Sequence, residues 1–204
     1  MTLHLVIDCE TTGLFDYTKP ADAPGQPRLC QLGMIWLDDD LKTLAEAEYI
    51  IKPDGWQITE EATRINGWTQ DMLEEHGGPI LPALAQYAEA IDKRNVIVGF
   101  NAAYDIKLMR GELRRAKMED RYMQTRSLDV MQGCRRIVGA TTKTGKNKVP
   151  SLEQACDFFE IEREKLPHRA LGGARATLHI LRKMRELGKM PLYKDPYDKT
   201  KFGR

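Results

Sequence analysis

Leu3-His4-Leu5-Val6-Ile7-Asp8-Cys9-Glu10-Thr11-Thr12-Gly13-Leu14 opens the chain with a nearly all-apolar run that turns acidic at its end. Leu3 to Cys9 reads as a short strand buried on both faces. Asp8 and Glu10 stand two apart, so strand alternation places both carboxylates on one face, close enough to share one cation. Without a positive charge between them they repel. Thr11, Thr12 and Gly13 then offer small side chains and backbone N–H groups where a phosphate or a sugar can approach. A solvated strand end is the plain alternative for an isolated Asp-x-Glu.

The segments around this run fix the architecture. Phe15 to Arg28 holds Asp16, Pro20, Pro24 and Pro27 and reads as a long surface loop. Cys30–Leu37 and Leu44–Ile51 look like strands joined by a turn at Asp38-Asp39-Asp40, which gives an antiparallel meander. From Thr59 the apolar spacing becomes helical: Glu60–Ile65, Thr69–Glu75, and Ile80 to Ile91 behind Pro79. A strand at Val96–Gly99, a helix over Ala103–Ala116, a short strand at Arg126–Leu128 and a helix through Val130–Ile137 follow. Then come a polar Gly/Lys/Thr loop, a helix opened by Ser151 with Gln154 as its capping box, and a last strong helix over Gly172–Glu186. The expected class is α/β, with a mixed five-stranded sheet, its first three strands antiparallel, flanked by helices. Residues 1–187 form the domain and 188–204 a tail belonging to it.

The 204 residues, 42% hydrophobic and 30% charged, suit one globular domain and exclude a disordered chain, a collagen or a disulfide scaffold. No apolar run approaches the ~18 residues of a membrane span, and no signal peptide is visible, so a soluble cytoplasmic protein is expected. Cys9, Cys30, Cys134 and Cys156 lack zinc-ligand spacing and read as reduced, packed thiols. The net charge of +1 hides an asymmetry: residues 1–100 carry 7 Lys/Arg against 17 Asp/Glu, and residues 101–204 carry 24 against 13. A basic second half of this kind can face a polyanion. A nucleotide-binding P-loop or Rossmann site is excluded, because Gly145-Lys146 lacks the glycine five residues earlier and no G-x-G-x-x-G follows the first strand.

Two more segments carry chemistry. Asp105 follows the fourth strand in Asn101-Ala102-Ala103-Tyr104-Asp105, and His168 stands ahead of the last helix in His168-Arg169-Ala170-Leu171-Gly172-Gly173-Ala174-Arg175, placed to act as a general base. With Asp8-Cys9-Glu10-Thr11-Thr12-Gly13-Leu14, these three motifs over residues 3–186 resemble the DEDDh (DnaQ-like) 3′–5′ exonucleases of the ribonuclease-H-like superfamily. Ala62-Thr63-Arg64-Ile65-Asn66-Gly67-Trp68-Thr69 looks like the family segment that buttresses the terminal nucleotide.

The resemblance implies two Mg²⁺ or Mn²⁺ ions held by Asp8, Glu10, Asp105 and a fourth carboxylate, with His168 deprotonating the attacking water. The products would be 5′-mononucleotides released from a 3′ end. It further implies nucleic-acid contacts by Thr11, Thr12, Gly13, Leu14, Asn66, Trp68, Asn101 and Tyr104, with Trp68 either stacked on the terminal base or packed in the core. Lys107, Arg110, Arg114 and Arg115, with Lys143, Lys146 and Lys148, are candidates for holding the backbone. Expected partners are single-stranded nucleic acid, DNA or RNA, or a frayed duplex 3′ end, and a polymerase or other replication protein bound through the basic tail from Arg182 onward; no membrane is implied.

One position departs from the family. Five residues after the histidine, where the fourth metal-binding aspartate belongs, stands Gly173. A hard cation that loses a carboxylate ligand binds more weakly. If that contact is worth ~3–4 kcal/mol in the transition state, the rate falls roughly 10²–10³-fold, so the expected activity is severely impaired or absent. Retention of Asp8, Glu10, Asp105 and His168 points to a recent or deliberate change in an active enzyme; a non-catalytic binder of single-stranded 3′ ends is the other reading.

Overall fold

The computed structural model describes residues 3–91, 95–162 and 169–195. Its centre is a five-stranded sheet built from β1 (His4–Thr11), β2 (Leu29–Leu37), β3 (Thr43–Ile50), β4 (Val96–Gly99) and β5 (Arg126–Asp129), in the order β3-β2-β1-β4-β5. The first three strands pair antiparallel, while β4 and β5 run parallel to β1, so β1 is the central strand. Buried on both sides, it needs the near-continuous apolar run that its sequence provides.

Alternation along the strands sorts the core into two layers. Leu5, Ile7, Leu32, Met34 and Ile97 face α3 (Ile80–Ala90) and α4 (Ala102–Arg115). Val6, Ile35, Val96, Val98 and Leu128 face α5 (Val130–Val138), α6 (Leu152–Phe158) and α7 (Ala170–Glu186). A small third cluster, Cys30, Trp68 and Leu73, sits under α1 (Glu60–Asn66) and α2 (Gln70–His76). The mixed sheet with an antiparallel first half matches the architecture expected from the sequence.

Local signals explain most of the helix starts. Thr59 and Thr69 cap α1 and α2 by accepting from Ala62 N and Met72 N, and Ser151 with Gln154 closes a full capping box on α6. Asp38 folds the acidic turn, its Oδ1 accepting from the amides of Asp40 and Lys42. Two boundaries differ from expectation by two residues. β1 continues to Thr11, bulging between Glu10 and Thr11, and α7 begins at Ala170 rather than Gly172. The early start of α7 has a remote cause, described below. After α7 the chain turns back, and Lys194 exchanges two backbone hydrogen bonds with Ser127 on the outer edge of β5, at 2.9 and 2.8 Å. Among the described residues no helix is long and apolar enough to cross a membrane.

Candidate active site

The carboxylates lie where β1 ends. Asp8 pairs across the ladder with Gly33 and Glu10 with Gln31, so all four share the face that receives α7. Gly33 is there for close approach: a Cβ on it would stand 2.5 Å from the Ala170 carbonyl carbon and the Leu171 nitrogen. Only a residue without a side chain lets the first turn of α7 rest on the sheet. That seating carries Gly173 onto Asp8, whose carboxylate fills the space a side chain at 173 would enter; a Cβ there would overlap Oδ2 and lie 2.8 Å from Cγ.

Asp105 arrives from the opposite layer in the first turn of α4, 4% exposed and hydrogen-bonded by the Cys9 thiol. Burial pushes the Asp8 carboxyl up, and burial together with the Asp8 charge pushes Glu10 up to about 8; Asp105 is raised by the same pair of causes. Among the described residues no Lys, Arg or His forms an ion pair with any of the three. With Asp105 buried and Asp8 and Glu10 half-buried, carboxylates lacking cationic side chains favour either a proton or a bound cation. Oxygen donors of this kind suit a hard divalent ion. The set is nevertheless open, because position 173 supplies no oxygen, and among the described residues no group of three or more His, Cys, Asp or Glu is arranged to hold a metal. His168, the expected base, lies outside the described residues.

Most of the residues expected to contact nucleic acid also build the turn after β1 and line a cavity beside it. Tyr104 Oη and Thr11 Oγ1 both donate to the Gly13 carbonyl, at 2.7 and 2.8 Å. Thr12 Oγ1 accepts from Arg28 N, and the Thr12 carbonyl accepts from Thr59 Oγ1. Asn66 is buried, donating to the Thr11 carbonyl and accepting from Trp68 N. Trp68 corrects the stacking expectation. It is 2% exposed, its indole N–H donates to Gln31, and the Arg169 guanidinium covers its ring at 4.5 Å, so no base can reach it. Leu14, 82% exposed, and Asn101, held in a left-handed conformation at φ 71° ahead of α4, remain open.

Beside Glu10 and Thr11–Leu14 opens a cavity of about 780 Å³, walled by residues 22–28 of the long loop, Trp56, Thr59, Ile65, Asn66, Tyr104 and Arg115. The loop is a fixed wall. Glu112, 1% exposed, accepts from Arg28 Nε and Leu29 N and pairs with Arg115, which itself donates to the Ala21 carbonyl. Gly111 admits Ala21, whose carbonyl oxygen would stand 2.8 Å from a Cβ at 111, and Lys107 lies over the rings of Phe15 and Tyr17. Arg110 and Arg114 share Asp120. The α4 cations expected to hold a nucleic-acid backbone therefore also meet protein groups, whereas Lys143 and Lys146 are exposed. Sequence reasoning missed Gln31, Gly33 and Glu112. Their only signal was a polar or small residue inside, or beside, an otherwise apolar run.

A ribonuclease-H-like sheet with two carboxylates at the end of its central strand and a third beside them is the frame of a hydrolytic nuclease. Residues 5–181 match the model of the RNase T exonuclease family, and the chain belongs to that family. Solved structures share the fold. Exonuclease I from Methylocaldum szegediense superposes with a TM-score of 0.74 at 22% identity, over 91% of this chain and 41% of that one. E. coli exonuclease I in complex with a dT13 oligonucleotide gives 0.75 at 19% identity, over 91% and 41%. A structure of SSB/exonuclease I with an inhibitor gives 0.74 at 18%, over 91% and 42%. The chain thus spans about two fifths of the length of these relatives. A search of curated protein sequences finds no match.

Proposed function

We propose that this chain is built to remove 5′-mononucleotides from the 3′ end of single-stranded or frayed nucleic acid, and that Gly173 leaves this activity severely impaired. The observation that carries the reading is the seat of α7: Gly33 brings position 173 directly against Asp8, so a carboxylate at 173 would join the set formed by Asp8, Glu10 and Asp105 once the Asp8 side chain turns out of the space the new Cβ needs. Family membership supplies the reaction class, and the oligonucleotide-bound exonuclease I structures supply the substrate class by analogy.

Asp8, Glu10 and Asp105 would hold Mg²⁺ or Mn²⁺. Bound divalent ions supply an activated water and neutralise charge on the scissile phosphate. Leu14 and the Gly13 backbone face the cavity where the terminal nucleotide would lie, and the hydrogen bonds of Thr11, Tyr104 and Asn66 hold that turn rigid. His168, next to the described Arg169, would take a proton from the attacking water. Soluble, cytoplasmic action and a replication partner such as a polymerase belong to the same proposal; the SSB/exonuclease I structure makes single-strand-binding protein a second candidate partner.

The test is Gly173→Asp, compared with the present chain for release of mononucleotides from 3′- and 5′-labelled DNA and RNA single strands with Mg²⁺, Mn²⁺ or EDTA. The expected gain is about 10²–10³-fold and is abolished by EDTA. Inactivity of both chains would instead favour a binder of 3′ ends.

A further inference from the structure

Gln31 is the third residue of β2 and 0% exposed, and its side-chain hydrogen bonds go to Trp68, Ala170 and Glu48 rather than to Asp8, Glu10 or Asp105. Each of its side-chain hydrogen bonds goes to a different element. Oε1 accepts from the Trp68 indole N–H at 3.0 Å and from the Ala170 amide at 3.2 Å, and Nε2 donates to Glu48 Oε1 on β3 at 2.8 Å. An indole N–H and a backbone N–H can only donate, so the orientation of the carboxamide is fixed by its partners.

Ala170 is the first residue of α7, and its N–H is one of the four that a helix start leaves without an internal partner. Arg169, at the cap position, makes no capping bond. Gln31 therefore caps α7 from 139 residues away, which is why the helix starts two residues earlier than its local sequence suggests. Gly33, two residues along the same strand, sets how closely α7 approaches the sheet. Gln31 sets how the first turn is rotated and translated along it. The consequence appears three residues later, where Gly173 lies on Asp8. On the other side, Arg169 stacked over the Trp68 ring extends the clamp to the residue adjoining His168.

We propose that Gln31 is a positioning residue for the active site: it locks the first turn of α7 to Trp68 and to the sheet, and so aims position 173 at Asp8. Glutamine suits this task. It offers two donors a single acceptor without adding a charge on the face that already holds Glu10 and Glu48. Leucine would bury both donors unpaired, and glutamate keeps the acceptor but sets its carboxylate 2.8 Å from that of Glu48, so that one of the two must take a proton and donate to the other. The structural part stands by itself; the catalytic part rests on the exonuclease reading.

Two measurements separate them. In the ¹⁵N-labelled present chain, Gln31→Leu should raise hydrogen exchange at Ala170 and Leu171 about tenfold and shift the Trp68 indole resonance, while Ile7 and Met34 change far less. Gln31→Glu, which keeps both accepted bonds, should recover most of the protection. In Gly173→Asp, adding Gln31→Leu should lower kcat about 10²-fold with KM little changed, and Gln31→Glu should restore much of it. Should Gln31→Leu not fold, Trp68→Phe removes one of the two donors and should raise Ala170 exchange by a smaller factor. Unchanged exchange at Ala170, or a uniform rise at every amide with Gln31→Glu no better than Gln31→Leu, overturns the proposal. If Gly173→Asp with Gln31 intact shows no turnover, the exonuclease reading fails, and the exchange data alone decide the clamp.

Discussion

Replacing Gly33 by alanine asks how tightly α7 must sit. The new Cβ would stand 2.5 Å from two backbone atoms of α7, about 1 Å inside ordinary carbon contact. Neither obstacle is a side chain that could rotate away, so the helix start must lift or tilt by roughly that 1 Å. Overpacking of this kind costs about 1–3 kcal/mol. A midrange loss of about 2 kcal/mol lowers Tm by roughly 4–8 °C in a chain of this length. The same displacement carries position 173 away from Asp8, and a misplacement of that size costs about 10²-fold in rate. Gly33→Ala should therefore be compared with Gly78→Ala, whose Cβ would meet nothing within 4 Å, by thermal unfolding and, in the Gly173→Asp background, by mononucleotide release. A Tm within a degree of the parent together with unchanged turnover would refute the claim that α7 is seated on Gly33.

Other outcomes follow from the same contacts. Glu112→Ala leaves Arg28 and Arg115 without their shared carboxylate and should cost about 3 kcal/mol in urea unfolding, with protease cleavage appearing between residues 16 and 28. Leu14→Ala should leave Tm unchanged, since the side chain is 82% exposed, yet weaken binding of a fluorescent single-stranded oligonucleotide several-fold; equal affinity would remove Leu14 from the interface. Burial lowers the His4 pKa from its ordinary 6.5, so the folded state resists protonation. Stability from this residue is complete above pH 6.5 and declines as pH falls toward the lowered value, and His4→Gln should flatten that part of the urea-midpoint profile between pH 7.5 and 5.

The sequence read well wherever the cause was local. The apolar run into Asp8 and Glu10 marks the central strand because both its faces are covered, and Ser151 with Gln154 marks a helix start because the capping box is four residues long. Motif order placed Asp105 and position 173 near the first two carboxylates, and the geometry around Asp8 agrees for position 173. What stayed hidden depends on contacts between distant segments. Trp68 is covered because Gln31 and Arg169 reach it from β2 and the start of α7; Arg114 and Arg115 of α4 meet Asp22 and Ala21 of the long loop, and Arg110 meets Asp120. Hydrophobic periodicity reports which face is inward; it carries no record of which partner comes to meet it.

Because α7 is the last long element of the described chain yet rests on the first two strands, the candidate site has a timetable. Ribosomes add about 5–20 residues per second, so position 173 follows Glu10 into existence by roughly 10–30 seconds. Once Ile50 is made, β1 to β3 can pair while α7, which covers much of the layer holding Val6 and Ile35, is still to come. A nascent chain of this design carries Asp8 and Glu10 early and completes their surroundings late, at the cost of an exposed apolar sheet face that a chaperone would recognise.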